Sequence, residues 1–196
     1  MVSVYNSTAQ KLASILHMNN PGQQKALLAE LRRGVGRAPG ELPSLWGILL
    51  EELPEEMMGN GTSPSRAEWA IYLSLTLFGV HQQGHDPKQQ PMHQKDQSFG
   101  SSVAHLVTSE DDKDRMIRRF NIAATATDIK ELSHHLRGII QLLRAEGIAL
   151  DYAQLSNDLY LFQDIHHRSN VCLRWGQDFY RVLNHIIEQE EEHTDE

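Results

Sequence analysis

The chain has 196 residues, of which 40% are apolar and 22% charged, and its formal net charge at pH 7 is −8. This composition is typical of a globular rather than a disordered protein, and the length suffices for one large or two small domains with a buried core. The single cysteine, Cys172, excludes an internal disulfide framework and a cysteine-rich zinc site, and it fits a reducing cytoplasm.

The sequence predicts neither export nor a membrane span. The N-terminus lacks the basic and then apolar pattern of a secretion signal. The longest apolar run, from Trp69 to Val80, has 12 residues and is interrupted by Ser74 and Thr76, whereas a bilayer-spanning helix needs about 20. We therefore expect a cytoplasmic protein in which this run is a core helix.

The negative charge is concentrated in two places. Residues 188–196 contain six acids and no Lys or Arg, which leaves 20 acids against 18 bases in residues 1–187. Four more acids lie within residues 51–56. A basic surface elsewhere is therefore compatible with the acidic total. We expect the tail at 188–196 to be disordered, because a run of like charges has little to bury.

Apolar residues recur at helical spacing along nearly the whole chain, which predicts an all-α protein. In the first half, helices are expected over residues 7–17, 21–33, 43–50, 65–83 and 101–107. The fourth is apolar on almost every side and should be the centre of an N-terminal bundle, and Ser65 and Glu68 give its start a capping-box pattern. Residues 84–100 lack periodicity and should form a functional loop or a linker.

A glycine-rich turn follows the second predicted helix. It contains Gly34 and Gly36 between Arg33 and Arg37. Backbone amides and guanidinium groups in such a turn could cradle a phosphate. It is equally typical of a plain helix C-cap, in which basic residues complement the helix dipole. It is not a P-loop, because the G-x-x-x-x-G-K-[ST] pattern is absent.

Four further helices are expected in the second half, over residues 113–124, 128–144, 151–164 and 171–187, with a turn at 164–170. We place a domain boundary near residues 108–112. The predicted architecture is thus two small helical bundles, an N-terminal bundle at 1–109 and a C-terminal bundle with a basic face at 110–187, followed by the acidic tail.

Three helices of the second half carry their bases opposite their apolar faces. Lys130, Arg137 and Arg144 are spaced by seven residues and form one stripe without an acid. Arginine presents planar paired donors that match anionic oxygens, so segregated bases predict a surface for phosphates. The alternative is the ordinary polar face of an amphipathic helix. The other bases placed in this way are Arg115, Arg118 and Arg119 on one helix and Arg174 and Arg181 on another.

The evidence for catalysis is weak. His85-Asp86 is the dipeptide of helical metal phosphohydrolases, but it lies in a loop between Gly84 and Pro87. No H-E-x-x-H or G-x-S-x-G motif occurs. Cys172 is expected to be a buried thiol, and the three tryptophans are expected to pack in the core rather than to stack on bases. These are Trp46, Trp69 and Trp175. We expect a protein that is not an enzyme and has no metal or cofactor.

Five segments in this order resemble the CasB family, the small subunit of the type I-E CRISPR surveillance complex called Cascade. The resemblance spans roughly residues 30–183. The segments are Arg33-Gly-Val-Gly-Arg-Ala-Pro-Gly-Glu, Arg118-Arg-Phe-Asn, His135-Leu-Arg-Gly-Ile-Ile-Gln-Leu-Leu-Arg144, Leu150-Asp-Tyr-Ala-Gln-Leu with Asp158-Leu-Tyr, and Leu173-Arg-Trp-Gly-Gln-Asp-Phe-Tyr-Arg181.

The resemblance implies two helical bundles without catalysis, present as two copies beside a guide RNA and other Cascade subunits. There the subunit would hold the target strand and the displaced strand of an R-loop without sequence specificity. The predicted nucleic-acid-binding residues, from the resemblance and the helix faces together, are Arg33, Arg37, Arg115, Arg118, Arg119, Lys130, Arg137, Arg144, Arg174 and Arg181. Two alternatives are a helical adaptor for acidic protein partners and a metal phosphohydrolase using His85 and Asp86.

Overall fold

The structure, a computed structural model, describes residues 3–194, and of Glu110 and residues 189–194 it describes only the backbone. Over this range the chain forms nine α-helices and no β-strand beyond one isolated bridge, so the predicted all-α class is confirmed. The helices are α1 (Val4–Leu16), α2 (Pro21–Arg33), α3 (Trp46–Leu50), α4 (Arg66–His81), α5 (Phe99–Ala104), α6 (Glu110–Ala124), α7 (Ile129–Glu146), α8 (Tyr152–Phe162) and α9 (Ile165–Thr194).

Helix α4 is the central element, as its sequence predicts. Every residue from Ala70 to His81 is buried, because α1, α2, α7 and α8 all pack against it. The capping box at its start is present. Ser65 Oγ accepts a hydrogen bond from the Glu68 amide at 3.0 Å, and the Glu68 carboxylate accepts one from the Ser65 amide at 2.6 Å. The apolar run from Trp69 to Val80 is therefore a core helix.

The buried core continues across residue 110. Helix α8 packs on α1 and α4, and the short α5 packs on α9. Buried hydrogen bonds cross in the same places: Thr8 Oγ1 donates to Ser156 Oγ at 2.8 Å, and Ser74 Oγ donates to the Tyr152 carbonyl at 2.5 Å. The division into bundles at 1–109 and 110–187 stays a prediction, and both halves contribute side chains to one apolar cluster.

Two boundaries predicted for the last helix are wrong. The expected turn at 164–170 is helical from Ile165 onward, since only Gln163 and Asp164 separate α8 from α9, and the Asp164 carboxylate accepts a hydrogen bond from the His166 amide at 3.0 Å. The helix also continues past Ile187 to Thr194, and the disorder expected of the tail at 188–196 stays a prediction. Glutamate is a good helix former, so an established helix can extend through an acidic segment. Asp195 and Glu196 lie outside the described residues.

The loop between α4 and α5 is pinned to the core at its middle. Met92 is fully buried, and its amide donates to the side chain of Gln82 at 2.9 Å. Its carbonyl accepts a hydrogen bond from the Leu150 amide at 3.1 Å. The loop predicted at 84–100 is thus present and anchored. Between residues 3 and 194, no helix has the length and hydropathy needed to cross a membrane.

Candidate nucleic-acid interface

The predicted bases fall into two groups according to their ionic partners, and four of the ten are paired with an acid. Arg33 binds Glu30 at 2.6 Å, and Arg181 binds Asp178 at 3.0 Å. Arg115 binds Asp112, and Arg174 binds Asp158. An arginine already held by a carboxylate has less of its charge available for a phosphate. These four are therefore the weaker members of the predicted surface.

Arg174 has a structural role that its helix face did not reveal. Its guanidinium donates to the carboxylate of Asp158, which is buried in the α8–α9 contact. The indole Nε1 of Trp175 donates to the same carboxylate at 2.6 Å, and Gln154 Nε2 donates to it at 2.8 Å. Burial raises the pKa of Asp158, and the positive charge of Arg174 opposes that rise. Arg174 therefore compensates a buried negative charge.

The remaining six bases form no ion pair with any described carboxylate. Five of them are exposed, and Arg144 is half-buried with its guanidinium donating to Gln83 Oε1 at 3.1 Å. On α6, Arg119 reaches towards α7, since its Nη1 lies 3.7 Å from the position that a Cβ on Gly138 would occupy. These unpaired bases are Arg37, Arg118, Arg119, Lys130, Arg137 and Arg144.

Three of the unpaired bases meet around one pocket of about 290 Å³, which we call the turn–α7 pocket. Arg37 comes from the glycine turn, and Lys130 and Arg137 come from the stripe on α7. Helix α4 supplies the apolar lining with Trp69 and Leu73. The structure thus brings together bases that are about 100 residues apart in sequence. The other lining residues are Val35, Gly36, Ala38, Glu41, Ser133 and His134.

The glycine turn places Arg37 at this pocket. The Gly34 amide donates to the carbonyls of Glu30 and Leu31, so the turn is a C-cap of α2. Gly34 also lies against α4, where its carbonyl accepts a hydrogen bond from the Tyr72 hydroxyl at 2.9 Å. A Cβ on Gly34 would lie 2.7 Å from the Thr76 side chain, so glycine permits this approach.

The same turn leaves donors available beside Arg37. Gly36 has a φ of 82°, in the left-handed region. The amides of Gly36 and Ala38 have no acceptor among the described residues. The C-cap interpretation and the phosphate-cradle interpretation are therefore compatible, because the cap uses one part of the turn and leaves the other open.

A second basic pocket, of about 570 Å³, lies between α2 and the loop after α4, and we call it the α2–loop pocket. Its bases are Lys25, Arg32 and Lys88. None of them was among the predicted site residues. The sequence gives only a weak indication of these bases, because Arg32 lies in the last turn of a helix and Lys88 lies in a loop without periodicity.

The two pockets are linked along α7. Gln83 lines the α2–loop pocket and accepts the hydrogen bond from Arg144. Arg144 is two turns from Arg137, which lines the turn–α7 pocket. At 1.5 Å per residue, the stripe from Lys130 to Arg144 is about 21 Å long. We call the surface formed by both pockets and this stripe the basic band.

Of the three predictions that a tryptophan packs in the core, one is wrong and one is confirmed only in part. Trp175 is buried as predicted. Trp46 is 48% exposed, because α3 is a short helix that turns its first residue outward. Trp69 packs partly against the core but also lines the turn–α7 pocket, with the Lys130 ammonium 5.8 Å from its ring centroid. Cys172 is only half-buried, and burial raises its pKa, which is the opposite of an activated nucleophile.

His81 and His85 are held by the fold. His85 Nδ1 lies 2.9 Å from Gln90 Oε1, and its Nε2 lies 3.1 Å from the Arg144 carbonyl oxygen. The Asp86 carboxylate accepts a hydrogen bond from the Lys88 amide at 2.8 Å. Over the described part of the chain, no three His, Cys, Asp or Glu side chains are grouped to hold a metal ion. His81 is fully buried, and burial lowers its pKa to about 4.

Comparison with known proteins agrees with the resemblance seen in the sequence. The family model for CRISPR-associated protein Cse2 matches residues 27–180. CasB from Thermobifida fusca is 31% identical, with a TM-score of 0.75 over 90% of this chain and 97% of that chain. CasB from Thermus thermophilus is 18% identical, with a TM-score of 0.64 over 88% and 97%.

A chain of a CRISPR RNA-guided surveillance complex in a pre-nicking form is 21% identical, with a TM-score of 0.76 over 96% of this chain and 99% of that chain. At such identity, this structure and the Thermus protein bear on the fold alone. None of the curated protein sequences matches the chain. The Cse2 match covers most of the chain, and the Thermobifida protein covers nearly all of it. The chain therefore belongs to the CasB (Cse2) family of CRISPR-associated proteins.

Proposed function

We propose that this chain is the small subunit of a type I-E CRISPR Cascade complex and that its basic band holds single DNA strands when a duplex is opened. The observation that carries the proposal is the convergence of Arg37 with Lys130 and Arg137, which no described carboxylate neutralises by an ion pair. Membership of the CasB (Cse2) family supports the same role.

The proposed task requires modest contacts rather than catalysis. Exchanging a DNA duplex for a guide RNA–DNA heteroduplex is nearly balanced in free energy, so contacts to the strand backbone can shift it. Guanidinium groups that bind phosphates do so without regard to base identity, because every nucleotide carries the same phosphate. The sequence is read by pairing with the guide. The target strand and the displaced strand are both candidates for the basic band.

Within the assembly, we propose contacts with other Cascade subunits, the guide RNA and a second copy of this chain. Exposed apolar side chains on α9 fit such a packed environment, because Ile165 is 76% exposed and Leu173 is 60% exposed. Co-purification with proteins encoded in the same operon, together with an RNA, is the expected result. Recovery of the chain alone, without RNA, would contradict the assembly role.

Strand binding is tested by comparing two double variants that remove the same charge. Arg137→Ala with Arg144→Ala removes two unpaired bases, whereas Arg33→Ala with Arg181→Ala removes two ion-paired ones. Fluorescence anisotropy with single strands of several sequences should show a larger and uniform loss for the first variant. A loss restricted to some sequences would contradict the proposal. Binding of an acidic peptide in place of any strand would favour the adaptor alternative.

A further inference from the structure

The turn–α7 pocket contains more apolar surface than phosphate binding requires. Trp69 and Leu73 of α4 form its lining, and Val35 closes one side. Trp69 is neither buried like Trp175 nor exposed like Trp46, because part of its ring faces the pocket while the rest packs against the core. Basic side chains beside an aromatic ring are the usual composition of a site for single-stranded nucleic acid.

We propose that the turn–α7 pocket accepts one nucleobase of the bound strand, stacked on Trp69, with the adjoining phosphates held by Arg37 and Arg137. This proposal rests on the proposed function and names what the site takes up. Arg37 and Arg137 line the pocket together with Trp69, one from the glycine turn and one from α7. A strand whose backbone follows the basic band would therefore pass directly over the tryptophan.

The size of the pocket favours a single base. Its volume of about 290 Å³ lies just below the range of small-ligand sites, which runs from about 300 to 1,000 Å³. A duplex has no unstacked base to offer, whereas every base of a single strand presents a π-face. The pocket would therefore discriminate an opened strand from a paired one and would do so without selecting a sequence.

Lys130 supplies a cation that can exchange places with the base. In the free protein its ammonium lies 5.8 Å from the centroid of the Trp69 ring, a cation–π contact at an exposed site. The side chain is long and exposed, so an incoming base can displace it towards a phosphate. His134, Ser133 and Glu41 add polar groups to the lining. Stacking should dominate these, because it is common to all four bases.

The test compares a single strand with an abasic strand of the same length and phosphate number. The full-length wild-type chain should bind the natural strand about five-fold or more tightly, the ratio that corresponds to one stacked base. Trp69→Leu should reduce that ratio to near one, and Trp69→Phe should keep most of it. The matched control, Trp46→Leu, changes an exposed tryptophan outside the pocket and should keep the wild-type ratio.

Fluorescence gives a readout that does not require the ring to be removed. In a Trp46→Phe chain the emission comes from Trp69 and the buried Trp175, so the natural strand should quench it and the abasic strand should not. This measurement, with circular dichroism for folding, decides the case if Trp69→Leu is unfolded. Equal binding and equal quenching by both strands would overturn the base pocket and leave the phosphate-binding band intact. Binding of neither strand would overturn the proposed function as well.

Discussion

The guanidinium of Arg174 on α9 donates a hydrogen bond to the carboxylate of Asp158, which is 1% exposed on α8. Arg174→Ala would leave this carboxylate with only its two neutral donors. The free energy of unfolding should therefore fall by about 2–3 kcal/mol, as measured by urea denaturation. Arg181→Ala breaks a pair whose arginine side chain is 73% exposed, and it should change stability by less than about 0.5 kcal/mol. Equal effects would mean that the Asp158 site is not a structural pair.

Gly100 on α5 should not tolerate a side chain. A Cβ there would lie 2.1 Å from the Trp175 carbonyl oxygen, and the α9 backbone has no room to move away without losing buried contacts. Gly100→Ala should therefore lower the free energy of unfolding by at least about 2 kcal/mol. Gly176→Ala is the control within α9, because no atom lies within 4 Å of its Cβ position. It should raise stability by about 0.5–1 kcal/mol, with both glycine variants measured by urea denaturation.

His81 should make stability depend on pH between about 6.5 and 4. Burial lowers its pKa from 6.5 to about 4, so the unfolded chain binds the proton first as the pH falls. The stabilisation that the neutral His81 gives to the folded state is fully present above pH 6.5. It is lost as the pH falls from about 6.5 to about 4, a loss of about 3 kcal/mol in total. His81→Leu should therefore have a smaller difference than the wild type between its free energies of unfolding at pH 7 and at pH 4.5.

The control for His81 removes its hydrogen bond with Tyr152 and keeps the imidazole. His81 Nδ1 lies 2.9 Å from the Tyr152 hydroxyl, so Tyr152→Phe loses that contact and keeps the titrating group. It should lower stability at every pH and retain the wild-type pH dependence. A flat profile in Tyr152→Phe would assign the effect to the hydrogen bond instead.

Salt should weaken strand binding in proportion to the number of unpaired bases. Single-stranded binding loses about 0.7 in log–log slope per phosphate neutralised, so the four unpaired bases on the glycine turn and α7 contribute a slope of about −3, and the three bases of the α2–loop pocket add up to about −2 more. These four are Arg37, Lys130, Arg137 and Arg144. Arg137→Ala with Arg144→Ala should reduce the slope by about 1.4 when dissociation constants are measured over a salt series. An unchanged slope would place the phosphate contacts elsewhere.

The sequence predicts those features that depend on one helix at a time. The all-α class and the central position of α4 follow from spacing and composition, and the capping box at Ser65 follows from residue types at fixed separation. The stripe formed by Lys130, Arg137 and Arg144 also lies on a single helix. Each of these needs only local geometry, so a sequence without coordinates suffices.

The features that the sequence does not predict depend on contacts between helices. The outward face of α9 contains both Arg174 and Arg181, and only the packing of α8 distinguishes the structural one from the exposed one. The sequence places both Trp46 and Trp69 in the core, because it shows which side of a helix is apolar but not how much of that side the neighbouring elements bury. Arg32 and Lys88 meet in one pocket only because α2 and the loop after α4 lie side by side.

The two walls of the turn–α7 pocket come from separate segments, and each of them packs on α4. A strand that contacts Arg37 and Arg137 at once would bridge the glycine turn and α7. Occupancy would then resist thermal unfolding, with a rise in melting temperature that grows with strand concentration. The protein would therefore be most stable while a strand is engaged.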